Sequence, residues 1–301
     1  MFEPPGSLSS VKSDLEDLKI LAALPLVNQI RSKQLLGSIR DAEFKVFSQF
    51  GDDGIIQYLI SHIEIPAEQQ KFIEFGVENY QESNTRFLLI NNNWSGLVID
   101  GSLENVTSIK SDPIYWKHEL TAVHSFVDRD NINDIFAAGG FAGEIGLLSI
   151  DIDGNDYWIW ESIEVVRPAI VVIEYNSLFG SRRAVAVPYD KAFHCTRAHY
   201  SNLFWGSSLK ALCLLAERKG YAFVGADSHG NNAYFVARNR LKNIMPVTVA
   251  AGYVCSKFRE SRDERGQLTY ASGKERLEII KEMSVFDFEK GALVRLEELV
   301  D

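Results

Sequence analysis

The stretch "FIEFGVENYQESNTRFLL", residues 72–89, decides the reading of the fold. Apolar residues flank Glu74 and run into Gly76. A largely polar stretch follows, and "SNTRFLLINNN" then has the pattern of a helix capped by Ser83 or Asn84. The same alternation continues downstream. "SGLVIDG" reads as a second strand, "GEIGLLSIDIDG" as a longer apolar strand, "YWIWESIEVV" as a short helix and "PAIVVIEYN" as another strand. "SSLKALCLLAERKG" is an amphipathic helix with Leu209, Leu212, Cys213 and Ala216 on one face and Gly220 just past its end. "YAFVGADSHGNNAYFVAR" reads as two strands joined by a polar turn. Apolar strands separated by helices predict an α/β fold: an open, mostly parallel sheet with helices on both faces, closed by an antiparallel hairpin.

Outward from this core, residues 1–45 read as an N-terminal helical extension. "SSVKSDLEDLKILAAL" places Val11, Leu15, Leu18 and Ala22 at helical spacing, and the region of Pro25 interrupts it. It is read as a packing element or as the contact of a homo-oligomer. In "VFSQFGDDGIIQYLISHI" (46–63), Asp52 or Asp53 is placed to cap a helix. Residues 46–240 form the main domain. Residues 241–301, with the charged run "KFRESRDERGQ" and a terminal helix, form a helical appendage.

Bulk properties set outer limits. A chain of 301 residues, 46% hydrophobic and 24% charged, is an ordinary globular balance. The formal net charge of −10 argues against a general nucleic-acid surface. Three widely spaced cysteines with no CxxC pair fit a reducing compartment. "MFEPPGSLSSVKSDLEDL" lacks the basic start and apolar run of a signal peptide, and "ILAALPLV" is too short to span a bilayer. The expectation is a cytoplasmic protein without membrane insertion.

In open parallel sheets, ligands bind beyond the carboxyl ends of the strands. That rule collects residues scattered in sequence: Glu74 and Gly76 after the first strand, and Asp100, Gly101 and Ser102 after the second. Asp151 and Asp153 end "LLSIDID", Glu174 and Asn176 end "VVIEYN", and Asp227, Ser228 and His229 end "AFVGAD". One acid at a strand end is usually a cap or turn former. Five on one rim repel one another unless a cation, a cationic ligand or hydrogen-bond donors offset them. A glycine after the first strand lets a ligand approach the backbone, and an acid about twenty-five residues on suits a ribose diol. "EFGVENYQESN" is not GxGxxG, and Glu78 and Glu82 would face a pyrophosphate. A dinucleotide is disfavoured; a ligand with an ammonium and a sulfonium fits.

At these residues the chain resembles a known family. "FIEFGVENYQESNT", "GLVIDGS", "LLSIDIDGNDYWIW" and "IVVIEYN", flanked by "FSQFGDDGII" and "SSLKALCLLAERKGYAFVGADSHGNNAYFV", are similar to the FkbM-type branch of S-adenosylmethionine-dependent methyltransferases. Many bacterial members are encoded with surface-polysaccharide genes. The resemblance covers roughly residues 46–240 and implies a Rossmann-like methyltransferase sheet of seven strands with the last antiparallel. It implies that Glu74 and Gly76 lie under the methionyl part of the cofactor, that Asp100 holds the ribose hydroxyls and that Ser102, beside Gly101, sits near the adenine. Gln49 and Asp53 close over the cofactor from upstream, and Asn84 and Asp151 complete the cofactor side. Glu74 stands where the family commonly has Asp, and only one glycine follows.

An O-methyltransferase needs a base or a metal to take the acceptor's proton. Two arrangements fit. In the first, Asp153, Glu174 and Asn176 offer oxygen ligands to Mg²⁺, with Asp153 next to the reacting hydroxyl. In the second, His229 is the base, or His199 or His194 from "FHCTRAHYSNLF". Arg182 and Arg183 are placed to hold an acidic sugar. The leading reading is methylation of a sugar or other hydroxylated small molecule. The alternatives are an inactive methyltransferase-like binding or assembly protein, and an NAD-dependent oxidoreductase or epimerase.

Overall fold

The computed structural model describes residues 8–32 and 35–299. Calls on residues 1–7, 33–34 and 300–301 lie outside the described residues. The strands are β1 (Lys71–Phe75), β2 (Ser95–Asp100), β3 (Leu120–His124), β4 (Gly143–Ile150), β5 (Val166–Glu174), β6 (Val185–Ala186), β7 (Tyr221–Ala226), β8 (Asn232–Ala237), β9 (Ser284–Asp287) and β10 (Ala292–Arg295). The helices are α1 (Leu8–Ser32), α2 (Asp52–His62), α3 (Arg86–Asn92), α4 (Leu103–Ser111), α5 (Ile114–Lys117) and α6 (Ile132–Ala138). After them come α7 (Asp156–Ser162), α8 (Cys195–Ala198), α9 (Leu209–Arg218), α10 (Val249–Gly252) and α11 (Lys274–Ile280).

Seven strands make one sheet in the order β3-β2-β1-β4-β5-β8-β7. β8 runs antiparallel to both β5 and β7, and the other pairings are parallel. This is the Rossmann-like methyltransferase arrangement that the resemblance implies, with the hairpin where the sequence placed it.

The strands are apolar on both faces because helices cover both. Ile73 and Phe75 join Phe136, Trp160 and Leu212 on one side. Phe72 points to the other, with Ile55, Leu59 and Leu88. Period-two alternation therefore sends Glu74 to the face that carries α2 and α3.

Several local expectations change. α1 continues through Pro25 to Ser32. Its Pro25 side chain is solvent-exposed, so the ring needs no space in the core. Asp52 and Asp53 fall in the first turn of α2, whose N-cap is Gly51. Residues 241–301 are not a helical appendage ending in a terminal helix. After α10 and α11, β9 and β10 form a hairpin whose β9 edge pairs with β6 in a second, antiparallel sheet. Val285 and Val294 pack there with Val185, Val187, Leu203 and Phe204, so apolar alternation makes strands of the segment read as a terminal helix. No described helix is long and apolar enough to cross a membrane.

Asp53 shows how a buried carboxylate can organise a turn. Its Oδ2 accepts from the backbone N–H of Val46, Phe47 and Ser48 and from the Ser48 hydroxyl, at 2.7–2.9 Å. Burial pushes its pKa up to about 6, against the lowering effect of those hydrogen bonds. A raised carboxyl contributes stability that is full below its unfolded pKa and lost as pH rises through about 6. Asp53→Asn therefore gains on the wild type between pH 4 and pH 7.5, by on the order of 3 kcal/mol. Urea unfolding of both proteins across that range checks this; parallel pH profiles would contradict it.

Candidate active site

The carboxyl ends of β1, β2, β4 and β5 open into one cavity of about 640 Å³. Four of the five acid-bearing strand ends meet there: Glu74, Asp100, Asp151 with Asp153, and Glu174. Asp227, after β7, stays outside the cavity wall. Its carboxylate takes the N–H groups of His229, Gly230, Asn231 and Asn232 and so builds the hairpin turn.

Glu74 is buried and does not wait for a ligand alone. Its carboxylate accepts from the Ser83 hydroxyl (2.7 Å), Asn84 N–H (2.9 Å), and Thr85 N–H (3.1 Å) and hydroxyl. Ser83 and Asn84 are thus not side-chain caps of α3. Its N-cap is Thr85, with no side-chain cap bond, and a carboxylate from the neighbouring strand takes the N–H groups of Thr85 and of Asn84 before it. Burial raises the Glu74 pKa, and these donors pull against it. Asn84 lines the cavity and donates its side-chain amide to Ser149 Oγ at 3.1 Å.

Gly76 lines the cavity, and its lack of a side chain also serves a backbone contact. Its φ is +79°, and a Cβ there would lie 1.5 Å from the Asp151 carbonyl oxygen. The glycine lets the ends of β1 and β4 close on each other; it does not open backbone to a ligand on that side.

Asp100 Oδ2 accepts from Glu78 N–H (2.8 Å), and Oδ1 accepts from Ser102 N–H (2.8 Å) and Asn105 Nδ2 (3.0 Å). A carboxylate has about four acceptor sites, so one remains for a ligand. Gly101 lines the cavity beside Asp100. Ser102 does not; it is the N-cap of α4 and accepts from Asn105 N–H. The wall next to Asp100 is Ser125, Phe126 and Val127, just past β3. Gln49 also lines the cavity and meets Asn231 at 3.3 Å, whereas Asp53 lies beneath in the 46–48 turn.

Opposite Asp100, one carboxylate oxygen each from Asp151, Asp153 and Glu174 lie within 4.8 Å of one another. The turn that presents them is held by Asp156, which accepts from Ile152 N–H and Gly154 N–H at 2.9 Å. Asp153 takes a left-handed backbone there, φ +52°. Its side chain is solvent-reached but inside the concavity, and burial together with the Asp156 charge pushes its pKa up to about 6. Asp151 and Glu174 are hydrogen-bonded and lie well above the usual carboxylate range, first through burial and then through the like charges around them. Glu174 Oε2 is buried with no hydrogen-bond partner among the described residues. An orphaned carboxylate oxygen within a tight set of three fits a hard divalent cation. Asn176 does not belong to that set. Its Oδ1 accepts from Leu178 N–H, and its Nδ2 donates to the Leu203 and Trp205 carbonyls. It ties two loops together, and Asp151 takes the place expected for it.

The histidines sort differently from expectation. His229 lies outside the cavity, stacked on Phe50 with centroids 4.0 Å apart, and is solvent-exposed. His199 is also outside, with Nδ1 on Ser201 Oγ at 2.7 Å. His194 is on the cavity wall, with Nδ1 on Thr196 Oγ1 at 2.7 Å. Arg182 and Arg183 do not line it. The arginine that does is Arg276, on α11. It is buried and donates to the Ser256 (2.5 Å) and Phe258 (2.8 Å) carbonyls, so it holds that strap against the site. Glu260 follows in the same strap. Nothing in the sequence tied Arg276 or Glu260 to the strand ends. The Ser125–Val127 wall was signalled by the alternation in "LTAVH".

No family model matches the chain. No curated protein matches it either. Among solved structures it is similar to the N-terminal domain of EvdMO1, determined in the presence of SAH and D-fucose. There the identity is 13% over 56% of this chain and 75% of that one, with a TM-score of 0.38. The O-methyltransferase from Bacillus cereus in complex with SAH gives 12% identity over 73% and 89%, TM-score 0.38. M. capricolum TrmK with S-adenosyl-homocysteine gives 13% over 56% and 62%, TM-score 0.33. Likeness at this level is slight. The fold rests on the strand order, and the functional reading rests on the cavity.

Proposed function

We propose that this chain is an S-adenosylmethionine-dependent methyltransferase of the FkbM type that methylates a hydroxyl of a sugar, glycan or similar small molecule. The observation that carries this reading is the pairing of Asp100 on one wall of the cavity with the Asp151, Asp153 and Glu174 set on the other. When bound, S-adenosylmethionine supplies an electrophilic methyl group on a sulfonium. Asp100 accepts from the ribose hydroxyls through its remaining lone pair, and Phe126 offers an apolar face beside it. The acidic rim around Glu74, Glu78 and Glu82 favours the cofactor's positive charges.

Asp151, Asp153 and Glu174 would hold a divalent cation such as Mg²⁺, which would lower the pKa of a coordinated hydroxyl. His194 is the wall histidine suited to take the acceptor's proton, since Thr196 engages its Nδ1 and leaves Nε2. Proximity supplies the remainder of the catalysis, because methyl transfer is an in-line displacement. The oxidoreductase reading loses support at α3. Dinucleotide folds seat the pyrophosphate on the helix after the first strand, and here the Glu74 carboxylate lies at the entry to that helix, on the Asn84 and Thr85 N–H groups, where it would repel one.

Asp100→Asn tests the cofactor site. Asn keeps one acceptor oxygen for the local turn but loses the ribose contact. S-adenosylhomocysteine should bind about 10–100-fold more weakly, the loss of a charged hydrogen bond of roughly 1.5–3 kcal/mol. Equal binding by a folded variant would remove Asp100 from the cofactor site.

A further inference from the structure

α1 has two apolar faces. One packs on the domain through Ala23, Val27 and Ile30, all buried. Glu16 reinforces it with a 3.1 Å ion pair to buried Arg86. About a third of a turn round the helix, Val11 (46% exposed), Leu15 (54%), Leu18 (60%) and Leu21 (61%) point to solvent, followed by exposed Ala22 and Leu26. A contiguous apolar stripe of this kind marks an interaction surface.

The spacing identifies what covers it. Val11, Leu15, Leu18 and Ala22 follow one another at intervals of four, three and four, the seam of a heptad repeat. Asp14 and Leu21 flank the seam on one side, and Lys12, Lys19 and Leu26 flank it on the other. In a parallel pair of such helices, a residue on the first flank meets the residue five positions later on the second. Asp14 then faces Lys19 of a second copy, and Leu21 faces Leu26 of that copy. An antiparallel pair with the same core sets Lys12 against Lys19 and Asp14 against Leu21. Charge and apolarity both match only in the parallel arrangement.

We propose that the protein is a two-fold homodimer in which α1 pairs in parallel with α1 of a second copy, in register through Val11, Leu15, Leu18 and Ala22. Each domain lies beside the pair on the flank that carries Lys19, since each helix is attached to its domain by a face about 120° round from the seam and the Lys19 ammonium rests over the domain's Phe47 ring, 5.7 Å from its centroid. The seam spans about 17 Å from Val11 to Ala22. A helix that short does not hold its shape alone. Here it is already fixed by its own domain, so pairing orders little new chain. A membrane surface is the poorer occupant. Lys12, Lys19 and Arg31 are balanced by Asp14, Glu16 and Asp17, and an interfacial helix carries a basic polar face.

The test is sedimentation and light scattering of the full chain with three sets of variants. The wild type should have twice the chain mass, and Leu15→Glu with Leu18→Glu should be monomeric with an unchanged circular dichroism spectrum. In a Cys255→Ser background, which removes the exposed native thiol, Val11→Cys should cross-link to itself on oxidation. Lys19→Asp should weaken the dimer several-fold, and Asp14→Lys combined with Lys19→Asp should restore it. A monomer at all concentrations overturns the proposal, as does a monomer that co-sediments with anionic phospholipid vesicles. A dimer indifferent to the Glu substitutions overturns it too. Cross-linking of Val11→Cys chains to Ala22→Cys chains but not to themselves overturns the parallel arrangement.

Discussion

Glu74→Ala lowers the stability of this protein by roughly 1–3 kcal/mol, the penalty for the one backbone N–H group it leaves buried and unpaired. That group belongs to Asn84, at the entry to α3; the Thr85 N–H keeps a second acceptor, the Ser83 hydroxyl at 3.2 Å. The hydroxyls of Ser83 and Thr85 can turn to other acceptors; the Asn84 N–H cannot. Asn84 is on the cavity wall, so the same change also loosens the cofactor side. Glu74→Gln is the informative partner. Its amide oxygen can replace Oε2, which serves Ser83 and Thr85, but its NH₂ then opposes Asn84 N–H. It should cost about as much as the alanine variant, since both leave the Asn84 N–H without its acceptor. Urea denaturation of both variants measures this; an alanine variant within about 0.5 kcal/mol of wild type would mean that Glu74 does not hold the loop.

The second large effect is expected at the acid set. Asp153→Asn and Glu174→Gln should each reduce methyl transfer by about 10²–10⁴-fold, the range for loss of proton-handling machinery. S-adenosylhomocysteine affinity should change little, because Asp100, at the end of β2, is separated from the acid set by β1. Divalent cations should raise the melting temperature of the wild type, since a ligand of the native state stabilises it, and should not raise that of Glu174→Gln. About 1 kcal/mol of linkage shifts the midpoint by roughly 1.5–2 °C in a chain of this size. Methyl transfer that survives in Asp153→Asn, or a cation response that survives in Glu174→Gln, contradicts the assignment.

Much of this was legible because strand and helix periods differ. The apolar runs ending at Glu74, Asp100, Ile150 and Glu174 marked four parallel strands, and the rule that ligands sit at their carboxyl ends gathered acids that line one cavity. β3 was harder to find, since only Leu120 and Ala122 of its residues are buried. Sequence position told where an acid lies but not which donors it already serves. Asp53, Asp227 and Asn176 look like ligand groups and spend their oxygens on nearby backbone N–H groups. Gly76 looks like a ligand contact, and its lack of a side chain also makes room for the Asp151 carbonyl. Arg276 reaches the cavity by the path of the C-terminal segment, which no local pattern encodes.

The most direct measurement is calorimetric titration of the wild-type chain with S-adenosylhomocysteine, with NAD as the comparison. The proposed function predicts micromolar binding of S-adenosylhomocysteine and none of NAD. A folded protein that binds NAD, or that binds neither, would contradict it.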